Sequence, residues 1–338
     1  MVVAPPGSMK TVLLEALSGL PNCHFVDKLT VHTFLSGQIQ TNKKQTHNDD
    51  PLSSPSLLHR IGASGILIYA DFSTIIAMGQ EHRDSILADM RRIYDGRLKR
   101  EYGTDERPKE RSWEGRITFA AAATPAIDSH FSVFQSLGER FVLIRPSRPN
   151  GVLSARSAIT QDRLKARTEM SEAVRVMFGE LLDFEPDLGD SILDGISSLA
   201  EFTVRARTHV PRASWGDRHI QYVPEAEAPT RLGQQLAQLA KGSALLGPRG
   251  EVDDEDMAVV RRVAFDCIPQ NRWTILKTLA EGKMQCEISL PAKTKQYAME
   301  ELEALGLTTK ENGAAWTLTQ FAADLLRAAG FYENIKIV

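Results

Sequence analysis

The first 150 residues alternate short apolar runs with segments of helical period, and this alternation restricts the possible folds more than any other feature of the chain. Met1 to Ala4, Cys23 to Val26, Gly65 to Ala70, Ile117 to Ala123 and Arg140 to Ile144 read as strands. Strands separated by helical patterns predict an α/β sheet covered by helices. Between the third and fourth runs, Ser73 to Asp95 predicts a helix. Arg97 to Arg116, with Gly103 and Pro108 between two mixed polar segments, predicts an inserted hairpin. Gly37 to Pro55 is rich in Gln, Thr, Asn, Asp and Ser, and predicts a mobile polar loop.

From about Gln161 to Asp256 the pattern is helical throughout. Ala173, Val176, Met177 and Leu181, and later Leu232, Leu236, Leu239 and Ala240, recur at helical spacing and predict a separate helical layer. After Pro269 the expected order is a helix (Arg272 to Ala280), a short helical piece, a second helix (Ala292 to Leu305), two strands around Asn312-Gly313, and a closing helix from Thr319. That order is the order of a winged helix. The expected organisation is therefore an α/β core over 1–150, a helical region over 151–265 and a winged-helix domain over 266–338.

A chain of 338 residues with 42% hydrophobic and 25% charged residues can bury a sizeable core. Its formal net charge of -3 excludes a globally basic protein, so any nucleic-acid contact must come from local patches. Cys23, Cys267 and Cys286 lie far apart without metal-ligand spacing, and read as buried free thiols in a reducing compartment. No basic region leads into a long apolar run and no segment approaches a membrane span, which gives the expectation of a cytoplasmic protein.

Ala4-Pro5-Pro6-Gly7-Ser8-Met9-Lys10-Thr11 follows an apolar strand and precedes the amphipathic stretch Val12 to Leu17, the context a phosphate loop requires. Backbone N–H groups at a helix start favour bound phosphate. Lys10 is placed to reach the terminal phosphates of ATP, and the Thr11 hydroxyl to ligate Mg²⁺. Ala4 and Met9 stand where glycines are usual, and a side chain at Met9 either narrows the cradle or points away from it. Taken alone, the segment fits an ordinary strand-turn-helix corner equally well. Ile66 to Asp71 delivers one acid at the end of an apolar strand, where ligands collect in open α/β sheets. Asp71 is the candidate metal partner. Its neighbours Ala70 and Phe72 supply no second carboxylate, so Asp71 serves either as the metal-linked acid or as the water-activating one, and a turn-capping role also fits.

Ile117 to Pro125 resembles the sensor-one strand of AAA+ ATPases, a resemblance that implies contact between Thr124 and the γ-phosphate or the attacking water. Leu137-Gly-Glu-Arg140-Phe141 resembles the arginine-finger segment of minichromosome maintenance helicases. It implies a homo-oligomer in which Arg140 reaches a neighbour's site at a subunit interface; Arg145 and Arg148 are alternatives. Pro229-Thr-Arg231 is similar to the sensor-two helix of the same helicases, and Glu251 to Asp256 to the acidic start of their next lid helix. Arg231 is thus the implied lid arginine, with Arg207 and Arg212 as lesser members of one polar network. The ordered series covers nearly the whole chain and implies a P-loop AAA+ core, a helical lid and a C-terminal winged helix. Leu29-Thr30 and Leu35-Ser36-Gly37 narrow the resemblance to ATPases of phages and mobile elements. Met1 falls only a few residues before the phosphate loop, so an N-terminally shortened product is expected.

In the hairpin, Arg97, Lys99, Arg100, Arg107, Lys109 and Arg111 interleave with Tyr102 and Trp113, a pattern suited to single-stranded DNA, although interspersed acids also suit a solvated hairpin. In the second winged-helix helix, Ala298, Leu302 and Leu305 share the core face, leaving Lys293, Lys295 and Gln296 at the exposed start; Lys310 adds a wing contact. Protein docking is the other use of such a module. The first functional expectation is a DNA-dependent ATPase, a helicase or replication-type motor. The second is a nucleotide-gated DNA-binding protein with weak or no hydrolysis, and the third a winged-helix transcription regulator.

Overall fold

The computed structural model describes residues 1–36, 56–102, 109–130, 140–147, 150–179, 184–310 and 315–331. The expected mobile loop from Gly37 to Pro55, the Asn312-Gly313 turn, Arg107 and Arg148 lie outside the described residues. The chain divides into two compact units, Met1–Arg140 with Pro146–Gly179, and Phe141–Arg145 with Glu180–Val338. The expected limits at 150 and 265 fall inside these units.

The first unit is mixed α/β. Its strands are β1 (Val2–Val3), β2 (Cys23–Val26), β3 (Ser64–Tyr69), β4 (Arg97–Tyr102), β5 (Lys109–Glu114) and β6 (Arg116–Ala123). Four of them form a parallel sheet in the order β1-β6-β3-β2. Val2, Val3, Leu67, Ile68, Tyr69 and Ala121 to Ala123 are all buried, as expected for a parallel sheet covered on its faces. The alanines of β6 leave room for helix α1 (Lys10–Glu15), whose Leu14 packs on Ile68 and Ala122. Val3 pairs with Ala123 and Tyr69 with Ala121, so the ends of β1, β6 and β3 are level. The residues that follow these three strands therefore emerge along one edge.

The expected helix from Ser73 to Asp95 is two helices, α3 (Ser73–Ile76) and α4 (Gln80–Tyr94), because Gly79 between them is non-helical at φ -55° and ψ 146°. Helix α2 (Leu57–Ile61) leads into β3. The inserted hairpin forms as β4 against antiparallel β5. Its exit needs Gly115, where a Cβ would stand 2.2 Å from the Ala63 carbonyl oxygen. The fifth apolar run, Arg140 to Ile144, is not a strand of the sheet. Phe141–Arg145 belongs to the second unit, where Leu143 N–H donates to Cys267 Sγ (3.2 Å) and Arg145 N–H to Asp266 (2.7 Å).

Two further helices complete the first unit, α5 (Gly151–Thr160) and α6 (Arg163–Gly179). Asn150 caps α5 by accepting from the Val152 and Leu153 N–H groups, and Asp162 does the same for Leu164 and Lys165. Neither helix buries a residue. The expected apolar face of Ala173, Val176 and Met177 is exposed, α6 packing mainly on the 3₁₀ turn Ala16–Gly19; Leu181 is outside the described residues.

The second unit comprises α7 (Asp190–Arg207), α8 (Thr230–Leu246), α9 (Asp254–Asp266), α10 (Gln270–Ala280), a 3₁₀ turn (Gln285–Glu287), α11 (Ala292–Ala304), the antiparallel pair β7 (Thr308–Lys310) and β8 (Trp316–Leu318), and α12 (Gln320–Ala328). One core unites them, with Leu199, Phe202, Leu236, Val260, Ile275, Leu302 and Leu326 among its buried members. Of the predicted faces, Leu232, Leu236 and Ala240 are buried on α8 with Leu239 half-buried, and Ala298, Leu302 and Leu305 are buried at α11. The acidic start of α9 is a capping box, Asp253 accepting from the Glu255 and Asp256 N–H groups while Asp256 accepts from Asp253 N–H. Of the thiols expected to be buried, Cys267 is, Cys23 is half-buried and Cys286 is exposed.

Candidate functional site

The level strand ends bring three of the expected site residues together. Ala4 N–H donates to the Ala123 carbonyl (3.2 Å), which fixes the start of the Ala4-to-Thr11 loop beside the end of β6. One residue further, Thr124 N–H donates to Ser73 Oγ (3.1 Å), and the two hydroxyls lie 3.3 Å apart. Ser73 N–H donates in turn to Asp71 Oδ1 (3.1 Å), an Asx turn that starts α3. Because β6 lies between β1 and β3, Thr124 stands between the loop and the acid. Asp71 is exposed, as a ligand-facing carboxylate at a strand end must be.

Two residues of the loop, Gly7 and Met9, have positive φ. Gly7 has φ 77° and no atom within 4 Å of the position a Cβ would take. Met9 is left-handed at φ 59° and ψ 19°, and its side chain is 60% exposed. Met9 thus supplies the conformation that glycine usually provides, and its exposed side chain borders the cleft in front of the loop. Leu13 N–H donates to the Met9 carbonyl (3.0 Å), so the N–H groups of Lys10, Thr11 and Val12 ahead of it point out of the helix start. Lys10 Nζ donates to the carbonyls of Ala4 (2.7 Å) and Pro5 (2.9 Å), closing the loop with two of its three hydrogens. Burial holds the Lys10 ammonium below the ordinary lysine range, and the nearby Asp71 carboxylate opposes that shift. This coupling places Lys10 and Asp71 in one electrostatic neighbourhood. The exposed Pro6, Ser8 and Thr11 complete the loop surface.

A cleft of about 680 Å³ opens from the loop, within the range of small-molecule sites. Gly7 to Val12 form one wall, and residues of α5 and α6 the other. Arg163 and Arg167 belong to that second wall. No sequence motif marks them, because two arginines in a charged, mostly exposed helix look like an ordinary solvated face.

The remaining expected residues stand elsewhere. Arg140 Nη2 contacts both carboxylate oxygens of Asp95 (3.1 and 3.0 Å) beneath the Tyr94 ring. Asp95 precedes Gly96, which bonds to Gly115 at the entrance of β6, whereas the Ala4-to-Thr11 loop is at its exit. Eight residues of strand separate the two ends, about 23 Å at the usual rise. Arg140 therefore does not serve its own chain's loop. Arg145 is held by Asp266.

In the second unit Arg231 and Arg207 share Glu227, at 2.8 and 3.2 Å. Arg212 is not part of that network. It pairs with Glu300 (3.0 Å) and Glu301 (2.7 Å) and donates to the Tyr297 carbonyl (2.8 Å). The buried Arg272 joins it on Glu301 and donates to the Ala206 and Thr208 carbonyls. These arginines hold α11 to the end of α7.

The hairpin residues separate into two kinds. Lys99 is exposed and paired with the similarly exposed Glu110. Arg100 is not available for DNA: its guanidinium is turned inward onto Asp89 and the carbonyls of Val31 and Leu35. The expected stacking aromatics are also engaged, Trp113 buried with its indole N–H on the Gly62 carbonyl (2.8 Å) and Tyr102 on the Leu35 carbonyl (2.6 Å). On α11, Lys293 is exposed, Lys295 donates to the Gln285 carbonyl (3.3 Å) and Gln296 to Glu300 (2.9 Å). Lys310 lies exposed over Trp316.

A scan against protein-family models gives no match, and no curated protein matches the chain. No helix among the described residues is long and apolar enough to cross a membrane.

Proposed function

We propose that this chain is an ATP-binding P-loop protein of AAA+ type that hydrolyses ATP in a DNA-dependent way. The observation that carries the reading is the convergence at one sheet edge of the Lys10-Thr11 loop, Thr124 and Asp71; the cleft of nucleotide size adjoins the loop on its other side, against α5 and α6. Lys10, through its remaining hydrogen, and the N–H groups at the start of α1 would hold the phosphates. Thr11 and Asp71 would hold Mg²⁺, which supplies charge neutralisation between phosphate oxygens when bound. Thr124 would orient water or a phosphate oxygen, and Arg140, released from Asp95, would act only on a neighbouring subunit's nucleotide. This implies a homo-oligomer. Lys99 and Lys293 are the exposed cations that support DNA contact, the latter on the second helix of a winged-helix-like series.

One observation favours the alternative, a nucleotide-gated DNA-binding protein with weak turnover. Asp71 is the single acid at the strand end, and its Oδ1 is already engaged by Ser73. Steady-state ATP hydrolysis with Mg²⁺, with and without single- and double-stranded DNA, separates the two. A motor gives DNA-stimulated turnover that is lost in Lys10→Ala together with nucleotide binding, and lost in Arg140→Ala with binding spared. Lys10-dependent binding without turnover selects the gated protein. Absence of nucleotide binding would reject both.

A further inference from the structure

The cleft in front of the Lys10 loop has a second wall whose chemistry is as specific as the first. Arg163 and Arg167 are one helical turn apart on α6 and both line the cleft. Together with Lys10 they give it three cations, and no acidic side chain lines it. Beside them Leu153, Ala158, Ala166 and Met170 form an apolar surface. Arg167 is tied to the end of α1 by Glu15 (3.3 Å), so the two walls are joined at one point. Arg163 has no ion-pair partner among the described residues.

We propose that α5 and α6 form the cap of a nucleoside triphosphate site, in which Arg163 and Arg167 contact the phosphate chain opposite Lys10 and the apolar surface takes the base. The inference rests on the nucleotide reading of Lys10 and Thr11. Its physical basis is complementarity: a polyphosphate carries more negative charge than one lysine offsets, and guanidinium groups match phosphate oxygens in geometry. It also accounts for a helix pair that buries no side chain of its own. A ligand bound between this pair and α1 would stabilise it by mass action.

The test is calorimetric titration of a hydrolysis-resistant ATP analogue with Mg²⁺ into the full chain and its variants, with hydrogen exchange of residues 151–179 followed in parallel. Arg163→Ala and Arg167→Ala are each expected to weaken binding about tenfold, the loss of one charge-assisted contact. Arg175→Ala, which removes an exposed arginine paired with Glu172 outside the cleft, is expected to bind as wild type. The analogue should slow exchange across 151–179 in wild type and not in Lys10→Ala. If Lys10→Ala loses binding while Arg163→Ala and Arg167→Ala both retain wild-type affinity, the cap is overturned and the loop reading stands. If wild type does not bind the analogue, both are overturned.

Discussion

Replacing Met9 by glycine probes the main departure of this loop from the usual phosphate-loop pattern. Met9 occupies the left-handed region, at φ 59°, where a residue with a Cβ is strained by about 1–2 kcal/mol. Glycine removes that strain but loses about 0.5–1 kcal/mol through the greater freedom of its unfolded chain. The side chain is 60% exposed, so its removal sacrifices little buried surface. The expected net effect of Met9→Gly is a stabilisation of about 0.5–1 kcal/mol, a rise in midpoint of roughly 1–4 °C for a unit of this size. Met9→Ala keeps the strain and should stay within about 0.5 kcal/mol of wild type. Because glycine preserves the loop's dihedral angles, nucleotide affinity should change by less than about threefold in either variant. Thermal unfolding followed by circular dichroism, paired with nucleotide titration, reads both quantities. A tenfold gain in affinity for both variants would show that the methionine side chain obstructs the cradle. A fall in stability on Met9→Gly would refute the assignment of strain to this residue.

Arg100→Ala is expected to lower stability by about 3 kcal/mol in denaturant unfolding, because it strands the largely buried Asp89. Lys99→Ala should change stability by less than about 0.5 kcal/mol while weakening DNA binding; a stable Arg100→Ala with a selective DNA defect would reverse the assignment of these two residues. His209 gives a pH dependence: burial first, and then Arg272, holds its imidazole below the ordinary value, with Glu301 opposing. A depressed histidine binds fewer protons folded than unfolded, so its stabilising contribution is present above pH 6.5 and is lost as pH falls below it. Urea midpoints between pH 7.5 and 5.5 should therefore fall more steeply for wild type than for His209→Gln, and equal slopes would exclude the effect.

The parts of the fold legible in the sequence are those fixed by local pattern. Cys23–Val26 emerges as a strand with its expected limits, and α8 and α11 bury the faces their spacing predicts. Arg140 to Ile144 has the same apolar character as the true strands, but its backbone donors are claimed by Cys267 and Asp266, more than a hundred positions away. Nothing in a local window encodes that. At the candidate site, Thr124 directly follows β6, Asp71 comes two residues after β3, and Lys10 and Thr11 open the helix after β1, so local pattern suffices to nominate them. Arg163 and Arg167 were not legible, since their role depends on which surface α6 covers. Arg100 and Trp113 failed as DNA contacts for a related reason: composition marks charge and aromaticity but not whether a side chain turns inward.

The placement of Asp71 also bears on how much chemistry one acid can perform. A carboxylate has two oxygens, and here Oδ1 accepts the N–H that starts α3. Oδ1 keeps a second lone pair and Oδ2 both of its own, so the turn and a metal or a water can share the one carboxylate. Ser73 links that same turn to Thr124 through its hydroxyl, so a shift at Asp71 on metal binding would be felt at Thr124 without any movement of the sheet. If Asp71 takes the metal, the water-orienting group on the proposed reading is Thr124, which cannot act as a base at neutral pH. Turnover would then be slow in a single subunit and would depend on charge supplied across an interface, which Arg140 would supply only by leaving its ion pair with Asp95. A chain built this way would be a slow hydrolase alone and a competent one only when assembled.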